Sequence, residues 1–115
     1  MDSILTSVKK VLGIVEEYEH FDEDLIMFIN SVFAVLFQLG VNESKYFSIK
    51  DSEAKWNDYL PNSPLLEYVK SYVTLRVRIL FDPPINSVLM EAINKNLDEL
   101  LWRIHMTINE ETSNG

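Results

Sequence analysis

Two consecutive prolines, Pro83 and Pro84, close the run Leu65–Pro84 (LLEYVKSYVTLRVRILFDPP) and dictate where the central helix of this chain must stop. Proline has no amide hydrogen to continue the helical ladder, and it pushes the residue before it, here Asp82, out of helical geometry. At about 100° per residue, Leu66, Val69, Val73, Val77 and Leu80 form one apolar stripe, and Tyr68, Tyr72, Leu75 and Ile79 form a second, set well round from it. Glu67, Lys70, Ser71, Thr74 and Arg78 fill the only broad polar wedge, and Arg76 sits alone in the narrow gap between the stripes. A helix with two apolar stripes must be covered on two flanks, so the rest of the chain is expected to pack around it. Ser63 followed by Pro64 supplies its start, a capping hydroxyl and a proline at the first helical position.

The flanking segments supply the cover. Ile4, Leu5, Val8, Val11 and Leu12 keep helical spacing behind a cap at Asp2 or Ser3, and Gly13 ends that helix in a left-handed turn. Leu25–Leu39 is the most hydrophobic segment and is broken only by Asn30, Ser31 and Gln38. Its rise of about 22 Å falls short of a hydrocarbon core of about 30 Å, so it reads as a buried helix covered within the domain or partly by another subunit. Asp22 is its expected cap, with Phe21 stapled onto Ile26. Beyond the prolines, Asn86 is the expected cap of a long last helix, with Ile85 and Met90 as its staple and Leu89, Ile93, Leu97, Leu100 and Ile104 as its core stripe. Val88, Trp102 and Met106 fall off that stripe, and residues 110–115 (EETSNG) read as a flexible tail.

Between the second helix and the strut, Val41–Asn62 reads as a loop anchored by Tyr46, Phe47, Trp56 and Tyr59. Phe47–Ile49 is a candidate short strand, Lys50–Glu53 a turn, and Lys55–Leu60 one helical turn or a second strand; Trp56 is expected to pack on the helices. The fold class is thus all-α, a four-helix bundle-like single domain over 1–115, ordered over about 2–109, with a short irregular or β-like insertion between helices 2 and 3.

Composition excludes more than it identifies. Ten basic residues stand against eighteen acidic ones, a net charge of -8, which disfavours gripping nucleic acid by counterion release. Zero cysteines rule out disulfides, thiolate metal sites and thiol catalysis, and fit a reducing compartment. The first residues carry Lys9 and Lys10 inside an amphipathic pattern rather than ahead of an apolar run, so a cytosolic origin is expected. The acidic connector Glu16–Asp24 (EEYEHFDED) holds His20 but lacks the ligand spacing and turn glycine of a calcium loop, and reads as a solvated loop. His20 and His105, the only histidines, lie in no catalytic motif, and Gly13, Gly40 and Gly115 form no phosphate loop. No cofactor, metal or catalytic residue is expected. Arg76 must snorkel, pair with an acid such as Asp82, or pair with a neighbouring molecule.

The run SYVTLRVRILFDPP followed by the ELLWRI helix, with HFDEDLIMFINSVFAVLFQLGV upstream, FSI at Phe47–Ile49 and WNDYL ending at Leu60, resembles the head-tail connector (adaptor) proteins of long-tailed bacteriophages and related prophages. The likeness spans about Ile4–Ile108. It implies a structural, non-enzymatic helical subunit that forms a ring on the portal, located at the virion head-tail junction after assembly in the host cytoplasm. The implied partners are copies of itself, the portal protein and a stopper or tail-completion protein, with DNA sliding through the channel without specific binding and with no membrane. Candidate subunit contacts are Tyr68, Tyr72, Arg76, Ile79, Trp102 and Met106, and candidate portal contacts are His105, Met106, Thr107, Ile108 and Asn109. A competing class is an acidic protein-binding module that mimics DNA. Mimicry asks for carboxylates in duplex-like rows, and here they scatter over connector, helix faces and tail.

Overall fold

In a computed structural model, which describes the backbone of residues 3–43 and 45–114 and the side chains of 3–43 and 45–110, the chain is an all-α bundle. Its helices are α1 (Ile4–Leu12), α2 (Asp22–Gln38), the single turn α3 (Trp56–Tyr59), α4 (Pro64–Phe81) and α5 (Ser87–Asn114). The strut expected from Leu65–Pro84 is α4, and it is central: α5, α2 and α1 all pack on it. Ser63 Oγ accepts the Leu66 amide at its start with Pro64 in the first turn, and Asp82 leaves helical geometry at its end, as the prolines require. Ser3 is the cap of α1, accepting the Thr6 amide at 3.0 Å, and Gly13 closes it at φ 76°, a conformation that costs a residue with a Cβ.

One core joins Ile4, Leu5 and Val8 of α1, Leu25, Ile29, Val32, Phe33 and Leu36 of α2, Leu66, Val69, Val73 and Val77 of α4, and Ile93, Leu97 and Ile104 of α5. Several local expectations give way to tertiary contacts. The cap position of α2 is Phe21 rather than Asp22, because the Asp22 carboxylate is drawn to Lys9, 2.9 Å away. Phe21 stacks edge-on with Phe81 at 5.1 Å, tying the start of α2 to the end of α4. Asn86 does cap α5, its Oδ1 accepting the Val88 and Leu89 amides at 2.8 and 3.2 Å, but Ile85 is fully exposed and forms no staple. Leu89 is exposed too, so the core stripe of α5 begins at Ile93. Helical backbone continues to Asn114, through most of the segment expected as a flexible tail; Gly115, like Met1, lies outside the described residues. α2 is not buried all round, since Met27, Val35 and Leu39 line an exposed outer face.

The insertion forms no strand at Phe47–Ile49. Instead the Asn30 side chain does what a neighbouring strand would do: its Oδ1 accepts the Ile49 amide at 2.7 Å and its Nδ2 donates to the Ile49 carbonyl at 2.8 Å. A polar residue on the most apolar helix is thereby satisfied by backbone that would otherwise lack partners. Trp56 packs inward as expected, with its indole N–H donating to Ser7 Oγ at 3.1 Å and its ring 6.3 Å from Phe33. Ser3 pairs with Lys55 as an isolated antiparallel bridge, and the Ile4 amide donates to the Ala54 carbonyl at 2.9 Å. Tyr59 stacks against Phe33 and Phe47 at 4.6 and 4.9 Å.

The Tyr59 hydroxyl is buried without a hydrogen-bond partner among the described residues, and burial pushes its pKa well above the ordinary tyrosine value. Tyr59→Phe is therefore expected to stabilise the fold by about 1 kcal/mol at neutral pH, since it removes an unsatisfied polar group and keeps the ring. The buried phenol resists ionisation while the unfolded phenol does not, so as pH rises above about 10 ionisation favours the unfolded state of the parent and adds to the cost of the tyrosine. Thermal melts of both proteins from pH 7 to 11 check this: the gap between them should widen in favour of the phenylalanine variant at the alkaline end.

Candidate interaction surface

The two stripes of α4 meet different helices. Leu75 lines a groove of about 430 Å³ with Leu100, Asn96 and Arg103 of α5 and with Val11 of α1, so the stripe Tyr68, Tyr72, Leu75, Ile79 faces α5. Glu99 grips Arg103 through bonds of 2.8 and 3.2 Å and raises its pKa above the ordinary arginine value, and the Tyr68 hydroxyl adds a smaller effect of the same sign. The fully buried stripe Leu66, Val69, Val73, Val77 is left to α1 and α2. Because Val11 places α1 on one side of the α4–α5 contact, the narrow gap that holds Arg76 opens on the other side, between α2 and α5. Those two helices scarcely touch. At one end of their cleft, Leu39, just after α2, faces Leu101, Trp102, Ile104, His105 and Ile108 of α5 around an apolar cavity of about 230 Å³. Towards the other end Arg76 and Leu80 are exposed.

The residues proposed from sequence as subunit contacts are divided by this packing. Tyr72 is buried inside the subunit, and Tyr68 and Ile79 are half-buried against the core. Arg76 is exposed and makes no ion pair among the described residues, so neither Asp82 nor any other described acid is its partner. Trp102 is 60 % exposed and Met106 40 %, one turn apart on the outward side of α5. Of the remaining α5 candidates, His105 and Asn109 are exposed, while Thr107 and Ile108 are half-buried, Thr107 donating to the Arg103 carbonyl at 2.8 Å.

Length explains why these lie where they do. The 28 residues of α5 span about 42 Å and the 18 of α4 about 27 Å. Since α5 turns back along α4 after the prolines, Ile104 falls near the start of α4; Ile108, one turn on, still packs partly against the core, and the helical backbone continues past the strut to Asn114.

Sequence reasoning missed Lys9. It reads as a surface lysine near the end of an amphipathic helix, yet its side chain is only 3 % exposed. Its Nζ donates to the Glu16 carbonyl at 2.8 Å and the Tyr18 carbonyl at 2.7 Å, and pairs with Asp22. Three acceptors match the three donors of an ammonium group. With those carbonyls turned inward, the side chains of Glu16, Glu17, Tyr18 and Glu19 are displayed to solvent. The one available signal was position: Lys9 follows Val8 directly at the edge of the α1 stripe and precedes a carboxylate-rich loop.

Among the described residues no cluster of three histidine or acidic side chains is placed to hold a metal ion, and no helix is long and apolar enough to cross a membrane. The acidic connector is clamped by Lys9. What the all-α body offers a partner is exposed apolar side chains, an arginine without an ion pair among the described residues, and a long final helix. Residues 4–111 match the phage connector protein family, nearly the whole chain, and the protein belongs to that family. It is a structural phage head-tail connector. Neither the curated proteins nor the solved structures give a match.

Proposed function

We propose that this connector assembles with copies of itself into a ring on the portal and extends the DNA channel toward the stopper and tail. Membership of the connector family over residues 4–111 carries this reading. The end of α5 supports it physically. The exposed His105, Met106 and Asn109 leave one face of the helix open to another protein, and we assign the segment His105–Asn109 to the portal. Trp102 and Met106, with Tyr68, Arg76 and Ile79 around the clefts beside α4, are the candidate contacts between copies. Part of the 41–62 insertion faces the channel or the next subunit. The net charge of -8 suits a conduit that DNA traverses without adhering.

Electron microscopy of the purified protein, alone at high concentration and mixed with portal, tests the reading: rings or a collar on the portal are expected, and a particle that ignores the portal at every concentration overturns it. Replacing the exposed His105, Met106 and Asn109 together with alanine tests the segment. None of the three is a core residue, so the variant should melt like the parent while losing affinity for the portal; unchanged portal binding would remove this segment from the contact.

A further inference from the structure

Resting on the ring reading, we propose that the Arg76 end of the cleft between α2 and α5 receives the acidic connector of a second copy of this chain. Charge complementarity is the first argument. The connector displays the carboxylates of Glu16, Glu17 and Glu19, together with Val15 and Tyr18, 65 % and 49 % exposed. The cleft offers a cation without an ion pair among the described residues, Arg76, beside the exposed apolar Leu80. Each side therefore presents an apolar anchor and one sign of charge, in a subunit whose surface otherwise repels its own copies.

Position is the second argument. A contact that closes a ring is heterologous, so its halves lie on different sides of the subunit and at the same height along the ring axis. Val11 places the end of α1, from which the connector departs, across α4 from Arg76. The Phe21–Phe81 stack holds the connector's far end beside the last turn of α4, and Leu80 and Arg76 occupy that turn and the one before it. With α4 standing along the ring axis, the two surfaces meet between neighbours without a change of level. Pre-organisation is the third argument: the Lys9 clamp fixes the loop before association, so little ordering entropy is lost on docking.

The absence of cysteine makes the test clean. Glu17→Cys with Arg76→Cys in one chain, oxidised at high protein concentration and in parallel on portal-bearing heads, should give a ladder of covalent oligomers, since each subunit then links to two neighbours. Each single variant should give no ladder. Arg76→Glu should weaken self-association by about tenfold or more, and adding Glu17→Lys should recover most of that loss. Rings seen by microscopy without a ladder from the double-cysteine chain would overturn this contact and leave the ring reading intact. Absence of rings in both samples would overturn both.

Discussion

Trp56→Ala is expected to cost about 3–5 kcal/mol, a large part of the whole stability of a domain this size. Trp56 is 1 % exposed and is the largest fully buried side chain. It contacts Phe33 of α2 and donates to Ser7 of α1, so its removal opens a cavity where three segments meet. The loss should appear as a sharply lower denaturation midpoint in urea. Trp56→Phe separates packing from hydrogen bonding: it keeps an aromatic ring but loses the bond to Ser7 Oγ, which still donates to the Ser3 carbonyl at 2.8 Å, and it should cost clearly less than the alanine variant. Equal losses would mean that the indole N–H, not the ring, holds the insertion down. A midpoint unchanged in Trp56→Ala would show that the insertion contributes nothing to the core.

Lys9→Met carries the second large effect, about 2–3 kcal/mol. Removing the cation leaves the Asp22 carboxylate and the carbonyls of Glu16 and Tyr18 facing a methyl group. Stranding the partner of a buried charge ordinarily costs more, about 3–5 kcal/mol, but Asp22 keeps a quarter of its side chain in water. Adding Asp22→Asn should return part of the loss, because the stranded charge is then gone; a double variant no better than the single would place the cost in the two carbonyls. Limited proteolysis gives an independent readout. Freed from its clamp, the 13–21 connector should be cut first, while α4 and α5 stay protected.

The two effects also mark the limit of reading this chain by pattern. Helix periods, caps and stops are local properties, and Gly13, Ser63 with Pro64, Asn86 and the Pro83–Pro84 pair all act where the sequence places them. No strand forms at Phe47–Ile49; both backbone groups of Ile49 are satisfied instead by one side chain, Asn30, nineteen residues away. No pattern within a strand-length window contains that partner. The Ile85 staple failed similarly, since nothing in the bundle reaches the corner to cover it.

The candidate contact residues were legible only in part. Trp102 and Met106 fall off the α5 stripe and are indeed exposed. Tyr72 lies on a stripe of α4 that looks equally available in sequence, and α5 buries it. Arg76 was conspicuous from its position between two stripes, but its freedom from any described acid depends on how widely α2 and α5 diverge.

By itself the sequence determined the helical class, the central place of Leu65–Pro84, the corner that reverses α5 and the likeness to connectors, because each rests on backbone chemistry or on spacing along one element. Tertiary structure alone decided that Lys9 is a buried clamp, that Asn30 bonds the Ile49 backbone where a strand was expected, and which stripe of α4 meets which helix. Those outcomes depend on distances between segments far apart in the chain, where burial turns an ordinary lysine or asparagine into a group that must find its partners.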